Sequence, residues 1–202
     1  MKTLAAATPA KAPLAVSLAS DRPVPRYAWY ALLAVGGTLL ITLAAKTQVP
    51  FWPVPMTLQT LAIFALAAAY GMRLAGATLL LYLVEGALGL PVFAGTPEKG
   101  IGLAYIAGPT GGYLAGFLVM ALIAGWAADR GWSTSPARLG AAMLAGEVVM
   151  LAMGAAWIGV LFGVDKAFAW GVGPFIVTDL VKLVIAACLV PAIWTLLRRP
   201  AG

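Results

Sequence analysis

Histidine is absent from this chain of 202 residues, cysteine occurs once, and only 10% of the residues carry charge. Each scarcity excludes something. Without histidine the chain lacks the commonest metal ligand and the usual general base near neutral pH. Cys188 alone forms no internal disulfide, and its apolar neighbours assign it to packing. A soluble domain carries roughly 25% charged residues. With 62% hydrophobic residues and a mean hydropathy of +0.96, this chain has too little polar surface for a water-soluble particle. No GxxxxGK[ST] run occurs, so a phosphate-cradling loop is missing as well. The net charge of +6 is not a nucleic-acid signal, because the basic residues sit at the ends of apolar segments rather than on one soluble face.

What remains is a single bundle of membrane helices. Six apolar segments are expected: Tyr27–Ala45, Met56–Met72, Leu74–Leu90, Gly111–Ala128, Leu139–Gly163 and Pro174–Leu197. A spanning helix needs ~20 residues, and the second and third segments are short. They are read as two spans joined by a tight turn at Gly71, Met72 and Arg73. Residues 1–26, rich in Ala, Pro and basic residues, form an expected mobile tail, and residues 27–199 the membrane domain. Nine of the thirteen Lys and Arg residues fall in the tail and in connections on one side of the six spans, and three on the other. The positive-inside rule then sets both termini in the cytoplasm of a multi-pass protein in the inner (cell) membrane. Three connections face outward, at 46–55, 91–110 and 164–173. The middle one is long enough to act as a lid or wall.

Ionisable residues inside apolar segments carry the functional signal. A charge at bilayer depth costs about 2.5–3.5 kcal/mol on insertion scales. At a 1.5 Å rise per residue, Asp179 lies ~7.5 Å, Glu85 ~9 Å and Lys182 ~12 Å from the outer helix ends. These three share one layer. Glu147 lies ~12 Å from the inner end, which suits a structural or coupling role. Asp179 and Lys182, three residues apart, share a helix face. They either neutralise one another for insertion or meet the two ends of a polar solute. Glu85 is a pocket acceptor or a structural partner. Trp52 lies in a stiff, proline-rich loop and is an interfacial anchor or a wall for a flat ring. Gln59 starts the next helix at pocket depth. Phe93, Tyr105 and Tyr113 flank a Gly-rich stretch, with Thr110 the expected N-cap of the fourth span. Small residues at Ala31, Ala34 and Thr38 serve either internal packing or docking of another membrane subunit. No metal site or catalytic constellation is expected.

Four stretches resemble the BioY family, the biotin-specific substrate-capture (S) components of energy-coupling-factor (ECF) vitamin transporters. They are PVPMTLQT (Pro53–Thr60), LYLVEGALGLPVFAG (Leu81–Gly95), GPTGGYLAGF (Gly108–Phe117) and DLVK (Asp179–Lys182). The resemblance implies an all-α, six-helix integral membrane fold binding biotin near the outer face. It also implies partnership with a membrane energy-coupling (T) protein and a pair of ATP-binding subunits, with no cofactor. It assigns ligand-site roles to Asp179 and Lys182. Residues 96–102 depart from the family's usual loop, so no contacts are carried over there. The competing expectations are a self-sufficient secondary transporter for a small carboxylate or vitamin, and an intramembrane enzyme using Glu85, Asp179 and Lys182.

Overall fold

The computed structural model describes residues 13–15 and 25–197. Most of the tail expected over 1–26, and Arg198 and Arg199, lie outside the described residues. Within the tail, Pro13–Ala15 rest against the bundle: Ala15 is buried, and its carbonyl accepts a hydrogen bond from Trp29 Nε1 (3.4 Å).

The described residues are mostly helical. Helix α1 spans Arg26–Lys46, and a hairpin of two-residue strands follows, β1 (Gln48–Val49) antiparallel to β2 (Met56–Thr57). Next come α2 (Gln59–Ala87), the short α3 (Gly102–Ile106), α4 (Gly111–Asp129), a 3₁₀ turn at Trp132–Thr134 and α5 (Pro136–Phe162). The short α6 (Val164–Gly171) and α7 (Ile176–Leu197) complete it. Five of these helices, α1, α2, α4, α5 and α7, are long and apolar enough to cross a membrane. The three prolines Pro50, Pro53 and Pro55, expected to keep their segment extended, sit in the tip of the β1–β2 hairpin.

Helix α2 is not straight. Gly71 breaks it with φ 77° and ψ 173°, a conformation open in practice only to glycine. The two legs fold back on one another. Gln59 Nε2 donates to Tyr82 Oη at 2.9 Å, although a continuous helix would hold residues 23 apart at ~34 Å. The Asp129 carboxylate braces the bend by accepting the Met72 backbone N–H (3.0 Å). The expected turn at Gly71–Arg73 is therefore a one-residue hinge.

Helix α4 lies between α2 and α5, α1 covers the outside of α2, and α7 closes the bundle across α2 and α5. Close approach needs small residues: a Cβ on Gly116 would sit 2.8 Å from Met150 Cα. The core runs along the axis through Ile63, Phe64, Leu79, Met120, Met143 and Trp194, all buried. The opposite surfaces are apolar too. Helix α7 exposes Val177, Val181, Val184, Ile185 and Leu189. A continuous apolar surface of this kind suits lipid, not water. Cys188 lies on that exposed face instead of packing inside.

On α1, Ala34, Gly37, Thr38, Ile41 and Ala45 are buried. Of Ala31, Ala34 and Thr38, expected to serve either packing or docking, Ala34 and Thr38 pack inward, which fits packing and not a docking face, and only Ala31 is exposed. Thr38 Oγ1 donates to Glu85 Oε1 (3.1 Å), a reason for its inward turn.

The hinge yields a prediction. Gly71→Ala adds a Cβ to a backbone that L-residues avoid, at a cost on the order of 1–3 kcal/mol, and pushes it onto the Asp129 carboxylate. The thermal unfolding midpoint in detergent should drop clearly. An unchanged midpoint would show that the bend does not require glycine.

Candidate functional site

One cleft opens at the end of the bundle where the hairpin, the 88–110 connection and α6 gather. It encloses about 490 Å³ of empty space, its mouth included. A water-sized sphere can centre in only about 40 Å³ of it, room for about three waters. A ring-sized solute therefore enters only if side chains or loops give way. Part of the wall, Val54, Pro55, Thr57 and Ala94, comes from the hairpin and the 91–100 connection rather than from long helices.

The floor is charged. Asp179 lies one turn into α7, and its N–H is bonded to Phe175 O (2.8 Å). The inward stripe Phe175, Asp179, Leu183, Ala186 and Val190 follows the helical period, which turns Asp179 into the bundle. Lys182 Nζ donates to Asp179 Oδ1 at 2.5 Å. Thr60 Oγ1, from the start of α2, donates to the same oxygen at 3.2 Å. Asp179 is only 3% exposed, so its carboxylate depends on these donors. These bonds use one oxygen and one ammonium proton, which leaves Asp179 Oδ2 and two protons of Lys182 for other partners.

The walls are aromatic and hydroxylic. Tyr113 donates its hydroxyl proton to Gly171 O (2.6 Å), and Tyr105 donates its own to Ala94 O. Both offer ring surface and an acceptor lone pair to the cleft. Burial pushes the Tyr105 phenol up, an effect partly offset by the neighbouring Thr110 hydroxyl, so it stays protonated near neutral pH. Gln59 is held between Thr57 and Tyr82. Leu114, Phe117, Met150 and Phe175 supply the apolar share.

The 91–100 connection is latched over this end. Lys46 Nζ, at the end of α1, donates to Phe93 O (3.0 Å), Thr96 O (2.7 Å) and Thr96 Oγ1 (3.0 Å). Phe93 stacks on Tyr105 with centroids 5.2 Å apart and stands edge-on to Tyr82 at 5.4 Å. The wall expected from the length of this connection is thus fixed by a cation holding carbonyls.

Of the expected site residues, the cleft brings together Gln59, Tyr105, Tyr113, Asp179 and Lys182. Three others lie outside its lining. Glu85 turns to Thr38 at the α1–α2 contact. Phe93 is buried behind Tyr105. Trp52 is 63% exposed and packs edge-on against Trp170 (4.8 Å) and Phe162 (5.7 Å). Depth along an axis gave Glu85 the right level but not its azimuth. Thr110 is the N-cap residue of α4, as expected, but its side chain makes no capping hydrogen bond and lines the cleft. Thr60 was missed, although it adjoins Gln59 in a polar run at the start of an apolar segment. Glu147, set apart from this layer by its position in the sequence, is in fact buried beside Asp179 and Lys182. The signal was present: two residues each ~12 Å from opposite faces of a ~30 Å core are separated by about 6 Å in depth.

A bundle of apolar helices with a polar, aromatic-walled cleft over a buried ion pair defines a solute-binding membrane protein. The chain belongs to the BioY family, whose profile matches residues 17–199. It is 37% identical over 151 residues to a probable biotin transporter BioY of Pyrococcus horikoshii, covering 74% of this chain and 86% of that one. It is likewise 37% identical over 153 residues to a biotin transporter BioY of Thermotoga maritima, covering 75% and 88%. The fold matches a crystal structure of the S-component for biotin from an ECF-type ABC transporter, with a TM-score of 0.73 at 20% identity over 84% of this chain and 93% of that one.

Lys46→Met leaves the Phe93 and Thr96 acceptors without their cation, at a cost of about 1–3 kcal/mol. Amide exchange at 93–100 should quicken while that of α4 stays slow. Unaltered exchange at 93–100 would show that the latch does not hold the wall.

Proposed function

We propose that the protein captures biotin and serves its uptake as the substrate-specific (S) component of an ECF-type, ATP-driven transporter. The observation that carries this reading is the Asp179–Lys182 pair at the floor of an aromatic cleft, in a chain whose relatives are named biotin transporters. Biotin offers a valerate carboxylate, a ureido group with two N–H donors and one carbonyl, and an apolar thioether ring. Lys182 meets the carboxylate and Asp179 accepts from the ureido N–H pair. Gln59 and Thr60 complete the polar set, and Tyr105, Tyr113 and Phe117 pack on the ring and chain. Trp52, Phe93 and Glu85 support the walls from behind.

The transporter works with a membrane energy-coupling (T) protein and a pair of ATP-binding subunits, and binds biotin as ligand rather than cofactor. Residues 27–199 form the binding domain after a basic tail. The hinge at Gly71 supports counting α2 as two legs and the bundle as six spans, with both termini in the cytoplasm of the inner (cell) membrane. The cleft then opens outward, on the side of the β1–β2 hairpin, where a scarce vitamin is met. The BioY family is one of transporters, so the acid–base enzyme reading has no support left.

Mass spectrometry of the small molecule retained by purified protein identifies the ligand, and biotin is expected. Asp179→Asn and Lys182→Ala each break a buried, hydrogen-bonded charge pair, a loss of about 2–5 kcal/mol or roughly 30-fold to several thousandfold in affinity. Binding titrations on variants that still elute as folded protein check this. Full affinity in both variants would remove the pair from the site. Uptake of biotin by vesicles that contain this chain and no ATPase would instead favour a self-sufficient secondary transporter.

A further inference from the structure

Glu147 is the one acidic side chain of α5, and it is 4% exposed. Neither of its carboxylate oxygens makes a hydrogen bond. It lines a second, apolar groove between α5 and α7, and the other acid at the base of that groove is Asp179. Asp179 therefore has two sides, one in the solute cleft and one toward Glu147. Leu144, Val148, Leu151 and Leu180 make up much of the remaining groove, and these side chains offer the Glu147 carboxyl no polar partner.

The surroundings leave few charges to balance it. From α7 come Asp179 and Lys182, the charges that act on Glu147. Helix α4 presents Met120 at this level. Its titratable residues are Tyr113, about two turns toward the cleft end, and Asp129, at the far end. Helix α6 carries Asp165 and Lys166 at the mouth of the bundle, and the Trp132–Thr134 turn carries no titratable group. One ammonium thus stands beside two buried carboxyls, and it is already bonded to Asp179. A second, unpartnered carboxylate would bear the full desolvation cost and repel the first.

We propose that Glu147 is a positioning residue for Asp179: it holds a proton and donates it as a hydrogen bond to Asp179, whose Oδ2 is left free by Lys182 and Thr60. The Glu147 carboxyl fixes Asp179 from behind, so that the carboxylate faces the cleft with its remaining acceptor capacity turned to the solute. Capture of the solute becomes linked to one proton, because loss of that proton puts two anions back to back and turns Asp179 away. This rests on the biotin reading only for its binding assay.

The test compares the full-length protein with Glu147→Gln and Glu147→Ala in lipid nanodiscs. Biotin affinity is titrated from roughly pH 6 to pH 9, at low and high sodium. The parent protein should lose affinity as pH rises, by up to about tenfold per pH unit once the proton has gone. In E147Q an amide N–H replaces the acid O–H and cannot be lost, so affinity should stay level across the range. E147A should bind about tenfold or more weakly than the parent at the low-pH end, with no pH dependence of its own. Infrared spectra in H₂O and D₂O give a readout without any ligand: a protonated-carboxyl C=O stretch at neutral pH, missing from E147Q. Identical pH profiles in the parent and E147Q, or full affinity in E147A, would overturn the proposal. So would absence of that stretch, or a sodium-dependent affinity abolished in E147Q, which would mean a bound cation in place of the proton. Should the parent bind no biotin at any pH, the biotin reading fails, and the infrared band alone decides whether Glu147 holds the proton.

Discussion

A lysine and an aspartate, 2.5 Å apart inside an apolar bundle, impose an electrostatic constraint on everything around them. Each alone is expensive to bury; together they survive because Thr60 adds a donor and because neighbouring helices exclude competing arrangements. The constraint reaches outward through the covalent geometry. Asp179 can meet Thr60 only if the first leg of α2 lies beside α7, and that leg can stand there only because Gly71 lets the chain double back. The Gln59–Tyr82 bond then ties the two legs at the level of the cleft.

The walls of the cleft follow a different logic. Beside the helical residues Tyr113, Phe117 and Met150 they include connecting segments held by a few well-placed bonds. Lys46 gathers carbonyls from Phe93 and Thr96, and the Tyr105 and Tyr113 hydroxyls are each bonded to a backbone carbonyl. Such an arrangement is ordered without being closed. The small free volume beneath it fits a binding site whose rim yields to admit its solute, with the ion pair as the fixed floor.

Much of this was legible before any coordinates. Apolar segments reveal themselves by length, and charges within them by their cost, so the bundle and the importance of Asp179 and Lys182 could be read from composition and spacing. Their shared face follows from a three-residue separation. Glu85, Trp52 and Phe93 were harder to place: Glu85 turns to Thr38, Trp52 to Trp170 and Phe162, and Phe93 sits behind Tyr105. Axial depth is a linear measure that the sequence contains. The direction a side chain takes around its helix, when its neighbours on both sides are apolar, depends on which helix stands next to it. Glu147 shows the same limit from the other side: its depth, counted from the far end, concealed how near it lies to Asp179.

The sequence by itself determined a membrane bundle, the residues that bear charge inside it, and the family to which the motifs point, because hydropathy, helical rise and motif spacing are properties of a line. Tertiary structure alone decided which of those charges meet, that Ala34 and Thr38 pack inward, that Thr60 joins Asp179, and that Glu147 stands unpaired behind it. Those outcomes depend on distances between residues up to 119 positions apart. Such distances are set only when the helices pack, by the small residues and the one hinge that allow their close approach.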